Sequence, residues 1–107
     1  MITEKSLIAA DIQILSNKLT TQYESQFNFR NHCYLRIAYD NTIGDKWDIA
    51  VRKPFVKYAT VAQLIHALKL LNIYTKNKAD LLLDNEKSLK FRQKHILTKV
   101  NSKTLFD

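Results

Sequence analysis

Residues 31–54, NHCYLRIAYDNTIGDKWDIAVRKP, decide the fold, because they admit two readings. As a strand, Cys33, Leu35, Ile37 and Tyr39 face one side while Tyr34, Arg36, Ala38 and Asp40 face the other. The loop DNTIG then turns a hairpin into KWDIAV. As a helix, the run is almost wholly apolar, with a polar stripe at His32, Arg36 and Asp40. The flanking residues favour the helix. Asn31 can cap its start, and Gly44 sits where the left-handed residue beyond a helix end belongs. Asp45 can cap a second helix, with Asp48 in its first turn where a carboxylate favours the dipole. Arg52 and Lys53 then fall in a last turn that Pro54 stops. The spacing predicts helices over 32–43 and 46–52. The alternative is an α+β arrangement with a hairpin at about 33–52.

Toward the N-terminus, Ile8, Ile12, Leu15, Leu19, Tyr23 and Phe27 recur at steps of three and four, which is one stripe of an amphipathic helix. Thr3 is its expected N-cap, Ser16 falls off the stripe, and the helix is predicted over about 4–27. Toward the C-terminus, PFVKYA over 54–59 reads as a connector. Thr60 with Gln63 forms a capping box, and Val61, Leu64, Ile65, Leu68 and Leu71 mark a helix over 61–75. A break follows at Asn77 or Lys78. ADLLLDNEKSLKFRQKHIL then reads as a last helix, with Leu82, Leu89 and Ile96 seven apart and Asp84, Glu86 and Lys87 on its exposed side. Residues 98–107 are expected to fray.

Composition supports helices. One Gly and one Pro in 107 residues compare with average usage of about seven and five. A sandwich or barrel needs Gly and Pro at its many tight turns, and a helical bundle does not. The length suits one core, so the expected fold is a single all-α domain, 1–107, of four to five helices. The one Cys, Cys33, excludes an internal disulfide. The N-terminus lacks the pattern of a signal peptide, and no apolar run reaches the roughly 20 residues that span a bilayer. A cytoplasmic protein, without membrane contact, is the expectation.

Chemistry-bearing patterns are sparse. His32 and Cys33 are helix neighbours about 100° apart, too divergent for a thiolate pair, so Cys33 reads as a buried, inert residue. His32, His66 and His95 form no HxxxH or HExxH pair, and one Cys builds no zinc site, so no metal or cofactor is expected. There is no P-loop, GxGxxG or GxSxG, and no catalytic residue is assigned. Arg36 stands out. A guanidinium inside an apolar run must be paired or reach an edge. Asp40, four residues on, is the expected partner. The other reading places Arg36 with Tyr39, Asp40 and Trp47 around a small pocket for an anionic or planar group.

The net charge is +7 and unevenly spread. Residues 86–107 carry Lys87, Lys90, Arg92, Lys94, Lys99 and Lys103 against Glu86 and Asp107. On a helix Lys87, Lys90 and Lys94 share one face, which could follow a phosphate backbone without reading sequence. The 61–75 helix is too apolar to be a recognition helix. The apolar surface of residues 61–83 exceeds what one small core needs, which suggests a homo-oligomer or a protein partner.

The runs YLRIAYDN (34–41), KWD (46–48) and RKPF (52–55) resemble small uncharacterised bacterial proteins with a YLRIAYDN…KWD core, some labelled acetyltransferases. The resemblance covers about residues 31–75. It implies that Arg36, Tyr39, Asp40, Asn41, Trp47 and Asp48 form a unit. Acetyltransferases of the GNAT type are longer α/β proteins with a Gly-containing pyrophosphate loop. Gly44 is the only Gly here, so no acetyltransferase residue is carried over. The sequence thus points to a basic helical binding or interaction module that contacts nucleic acid or an acidic partner. The alternative is a small enzyme or ligand-binding protein with its site in residues 31–54.

Overall fold

The computed structural model describes residues 3–106, and the side chains of residues 3–96. It is a compact all-α domain of five helices, four of them long, with no strand among the described residues. The hairpin at 33–52 does not form. The expected fraying over 98–107 lies outside the residues whose side chains are described.

Helix α1 spans Glu4–Gln22 and opens on a Thr3–Ser6 capping box. It ends five residues earlier than its apolar stripe. The Tyr23 carbonyl accepts from the Gln26 and Phe27 amides, which turns the chain. Phe27 and Phe29 then stack at 5.2 Å and close onto Tyr34. The stripe therefore continues as an aromatic cluster, not as helix. Ser16, expected on the outer face, is fully buried. Its hydroxyl donates to the Gln13 carbonyl at 2.9 Å, which satisfies it locally.

Helix α2, Asn31–Ile43, ends on Gly44 at φ 82°, the left-handed terminus that glycine adopts without strain. Asn31 does not cap it. Its side chain instead meets Thr20 and Asn17 of α1, so it ties two helices together. The expected helix over 46–52 shrinks to a 3₁₀ turn, Trp47–Ile49. The reason is that both acids meant to start it are engaged elsewhere. Asp45 pairs with His95 at 2.9 Å, and Asp48 lies between Lys46 and Lys53. The Trp47 amide donates to Asp40 instead, at 3.0 Å. After a cis Lys53–Pro54 bond, the expected connector contains a four-residue helix, α3 (Phe55–Tyr58).

Helix α4, Val61–Lys76, carries the Thr60–Gln63 capping box and buries Leu64, Ala67, Leu71 and Tyr74. It packs against α1 and α2. Asn77 ends α4 and starts helix α5, Lys78–Phe106, by accepting from the Ala79 and Asp80 amides. Helix α5 lies along α2 and α4.

The seam of α5 differs from the expected one. Leu82, Leu89 and Ile96 are exposed at 38%, 51% and 62%. Leu81, Asp84, Asn85, Ser88 and Arg92 face the body of the domain instead. Half-exposing a leucine forfeits on the order of 1 kcal/mol. Leaving the buried charge of Asp40 unpaired would cost about 3–5 kcal/mol. The polar demand of α2 thus sets the rotation of α5.

Candidate functional site

The four ligand-binding candidates, Arg36, Tyr39, Asp40 and Trp47, do come together, though not as paired in sequence. Asp40 is fully buried. Arg92, from α5, holds it bidentately, Nε to Oδ2 at 2.8 Å and Nη2 to Oδ1 at 3.0 Å. The Ser88 hydroxyl donates to Oδ2 at 2.6 Å, and the Trp47 amide completes the set. Two ionic and two neutral donors leave the carboxylate fully satisfied.

Arg36 therefore does not pair with Asp40, which corrects the expected ion pair. Its guanidinium donates to Ser88 Oγ at 3.2 Å and to Asn85 Oδ1 at 2.8 Å, both neutral acceptors. Among the described residues no carboxylate oxygen lies within 4.0 Å of it. Burial, and after it the nearby Arg92 charge, pull the guanidinium below its ordinary pKa. Arg36 is thus a half-buried cation beside a second cation, and Asp40 is already neutralised by Arg92.

Tyr39 stacks on Phe55 at 3.8 Å with the rings 13° from parallel. Trp47 meets both rings edge-on, at 5.7 and 5.5 Å. Burial raises the Tyr39 hydroxyl to about 12. The aromatic trio joins α2, the 3₁₀ turn and α3, and so fixes the segment that carries Lys53. Asn41 donates to the Ile37 and Asp84 carbonyls. Asp84 accepts from the Tyr74 hydroxyl at 2.6 Å, which corrects its expected place on the outer face of α5.

Arg36, Tyr39, Trp47 and Arg92 border a cleft of about 360 Å³. Arg36, Arg92 and Lys53 supply three cations there, against Asp48 and the buried Asp40; Trp47 and Leu35 form an apolar wall. Arg92, Ser88 and Asn85 were not among the sequence candidates. Their signal was present as a polar stripe, Asp84, Ser88, Arg92 and His95, at helical spacing. Cys33 is half-buried, and His66, which bonds Thr42 Oγ1 at 3.0 Å, is exposed. Neither enters the cleft.

Lys87, Lys90 and Lys94 are all exposed on α5, at helical spacing, and the charge of Lys94 is felt at Asp45. Lys87 lies 3.9 Å from Asp84. Across the proposed partner surface, Ile65, Leu82 and Leu83 are exposed at 48%, 38% and 51%. Among the described residues no group of three or more His, Cys, Asp or Glu is placed to hold a metal ion. Nor is any helix there long and apolar enough to cross a membrane.

No family model matches the chain, and no match was found among curated proteins or solved structures.

Proposed function

We propose that this domain is a binding module that takes an anionic ligand in the cleft bordered by Arg36, Arg92, Lys53 and Trp47. One observation carries this reading: the Arg36 guanidinium is half-buried, opens on the cleft and is hydrogen-bonded to neutral acceptors alone. A cation so placed keeps its attraction for an anion, in a setting where water screens it less than at an open surface. The charge of Arg92 is already balanced by Asp40, so it attracts an anion less than Arg36 does.

Inorganic phosphate, titrated at constant ionic strength, tests the site. At about five times its Kd it should raise stability by about 1 kcal/mol, read as a rise in Tm. Arg36→Gln should remove that rise and Arg36→Lys should restore part of it. Wild-type protein whose Tm does not respond to phosphate would rule the site out.

A second reading rests on the exposure of Lys87, Lys90 and Lys94 at helical spacing. It is a sequence-independent contact with nucleic acid. DNA affinity should then fall steeply with salt, and neutralising these three lysines should lower the log–log salt slope by about 2–3. A slope unchanged by the triple substitution would refute the contact.

A further inference from the structure

A second cavity, of about 460 Å³, lies beside the charged cleft and shares Leu35, Tyr39, Trp47 and Lys53 with it as common lining. The two halves differ in chemistry. The first holds Arg36 and Arg92; the second is walled by Ala9 and Ile12 of α1 and by Pro54, Phe55 and Val56 around α3. Its polar side chains are Gln13 and the shared Lys53, with the shared Tyr39 hydroxyl. Lys53 stands at the junction, largely exposed and 3.7 Å from Asp48.

We infer that the ligand is an amphipathic anion, a phosphate or carboxylate head carrying an unbranched or flat apolar group. Its head lies at Arg36 and its tail crosses Trp47 into the cavity between α1 and α3. The inference rests on the anion site proposed above and adds the nature of the rest of the ligand. A bare inorganic anion would fill only the charged half. A neutral hydrocarbon would leave Arg36 without a counter-charge. A duplex nucleic acid keeps its bases stacked inside, presents only phosphates to the second half, and would instead follow the outer lysines.

A chain-length series decides it: inorganic phosphate, butyl phosphate and octyl phosphate, each kept monomeric, titrated against the intact protein by calorimetry at fixed ionic strength. Affinity should rise about two- to fourfold for each methylene that leaves water, until the cavity is full. Ala9→Phe, which narrows the apolar half, should shrink the ratio of octyl phosphate to phosphate affinity; circular dichroism confirms its fold, and the wild-type series decides the matter if it does not fold. Equal affinity across the series overturns the inference while the anion site stands. Failure of every member to bind overturns both. Octyl phosphate binding that Arg36→Gln leaves unchanged also overturns both, because the head then makes no contact. Binding to phosphatidate vesicles without binding to monomeric octyl phosphate overturns it in favour of a bilayer surface.

Discussion

Arg92→Met should destabilise the domain by about 3 kcal/mol, a large share of the roughly 5–15 kcal/mol that holds a domain of this size together. The loss comes from Asp40, not from Arg92 itself. The Arg92 side chain keeps 27% of its exposure, whereas that of Asp40 has none. Removing the guanidinium strips two charge-assisted hydrogen bonds from a carboxylate that water cannot reach, leaving Ser88 and the Trp47 amide as its donors. Asp40→Asn should cost less. The amide oxygen still accepts from Trp47, and the freed arginine can turn toward solvent. Urea denaturation, followed by helical circular dichroism, gives both values from the midpoint shift. A loss below about 1 kcal/mol for Arg92→Met would mean that water solvates Asp40 through the cleft.

The same cluster shows what the sequence could and could not disclose. Thr3, Gly44 and Thr60 announce their ends because each cap is made within a few residues. The grouping of Arg36, Tyr39, Asp40 and Trp47 was legible too, since all four lie within twelve positions. Their partners were not. Arg92 lies 52 residues from Asp40, and Asn85 lies 49 from Arg36. Local spacing offered a nearer and wrong pairing, Arg36 with Asp40. Helix α5 misled for a related reason. An apolar stripe at seven-residue spacing predicts the buried face when the core is purely apolar. Here the surface it meets carries two charges, Arg36 and Asp40, and the Asn41 amide, and satisfying them outweighs burying Leu89. The shortened helix at 46–52 follows from the same competition, because Asp45 is hydrogen-bonded to His95 and Asp48 lies between Lys46 and Lys53, so neither caps it.

Alkaline pH should unfold the domain, with most of the loss between about pH 10 and 12. Four of the five tyrosines are buried, and three of these, Tyr34, Tyr39 and Tyr74, hold their protons more tightly than a free phenol. Burial raises the Tyr34 and Tyr39 hydroxyls to about 12, with the Cys33 and Tyr23 charges adding to the effect at Tyr34. Tyr74 rises further still, through burial and its hydrogen bond to Asp84. A folded pKa raised above the unfolded value of about 10 gives stability that is complete below pH 10 and lost as pH climbs toward the folded value. In that window the unfolded chain releases protons that the folded chain keeps. Each tyrosine then removes about 1.4 kcal/mol per pH unit, so three together remove about 4 kcal/mol by pH 11. Tyr34→Phe separates this from other alkaline effects. The Tyr34 hydroxyl is buried with no hydrogen-bond partner among the described residues, so its removal should stabilise the neutral protein by about 1 kcal/mol. It should also make the alkaline slope shallower by about one third. Urea midpoints from pH 8 to 11, read beside tyrosinate absorbance, measure both. If all five tyrosines ionise near pH 10 while the helical signal persists, the three rings are reached by water and their burial contributes nothing to the pH dependence.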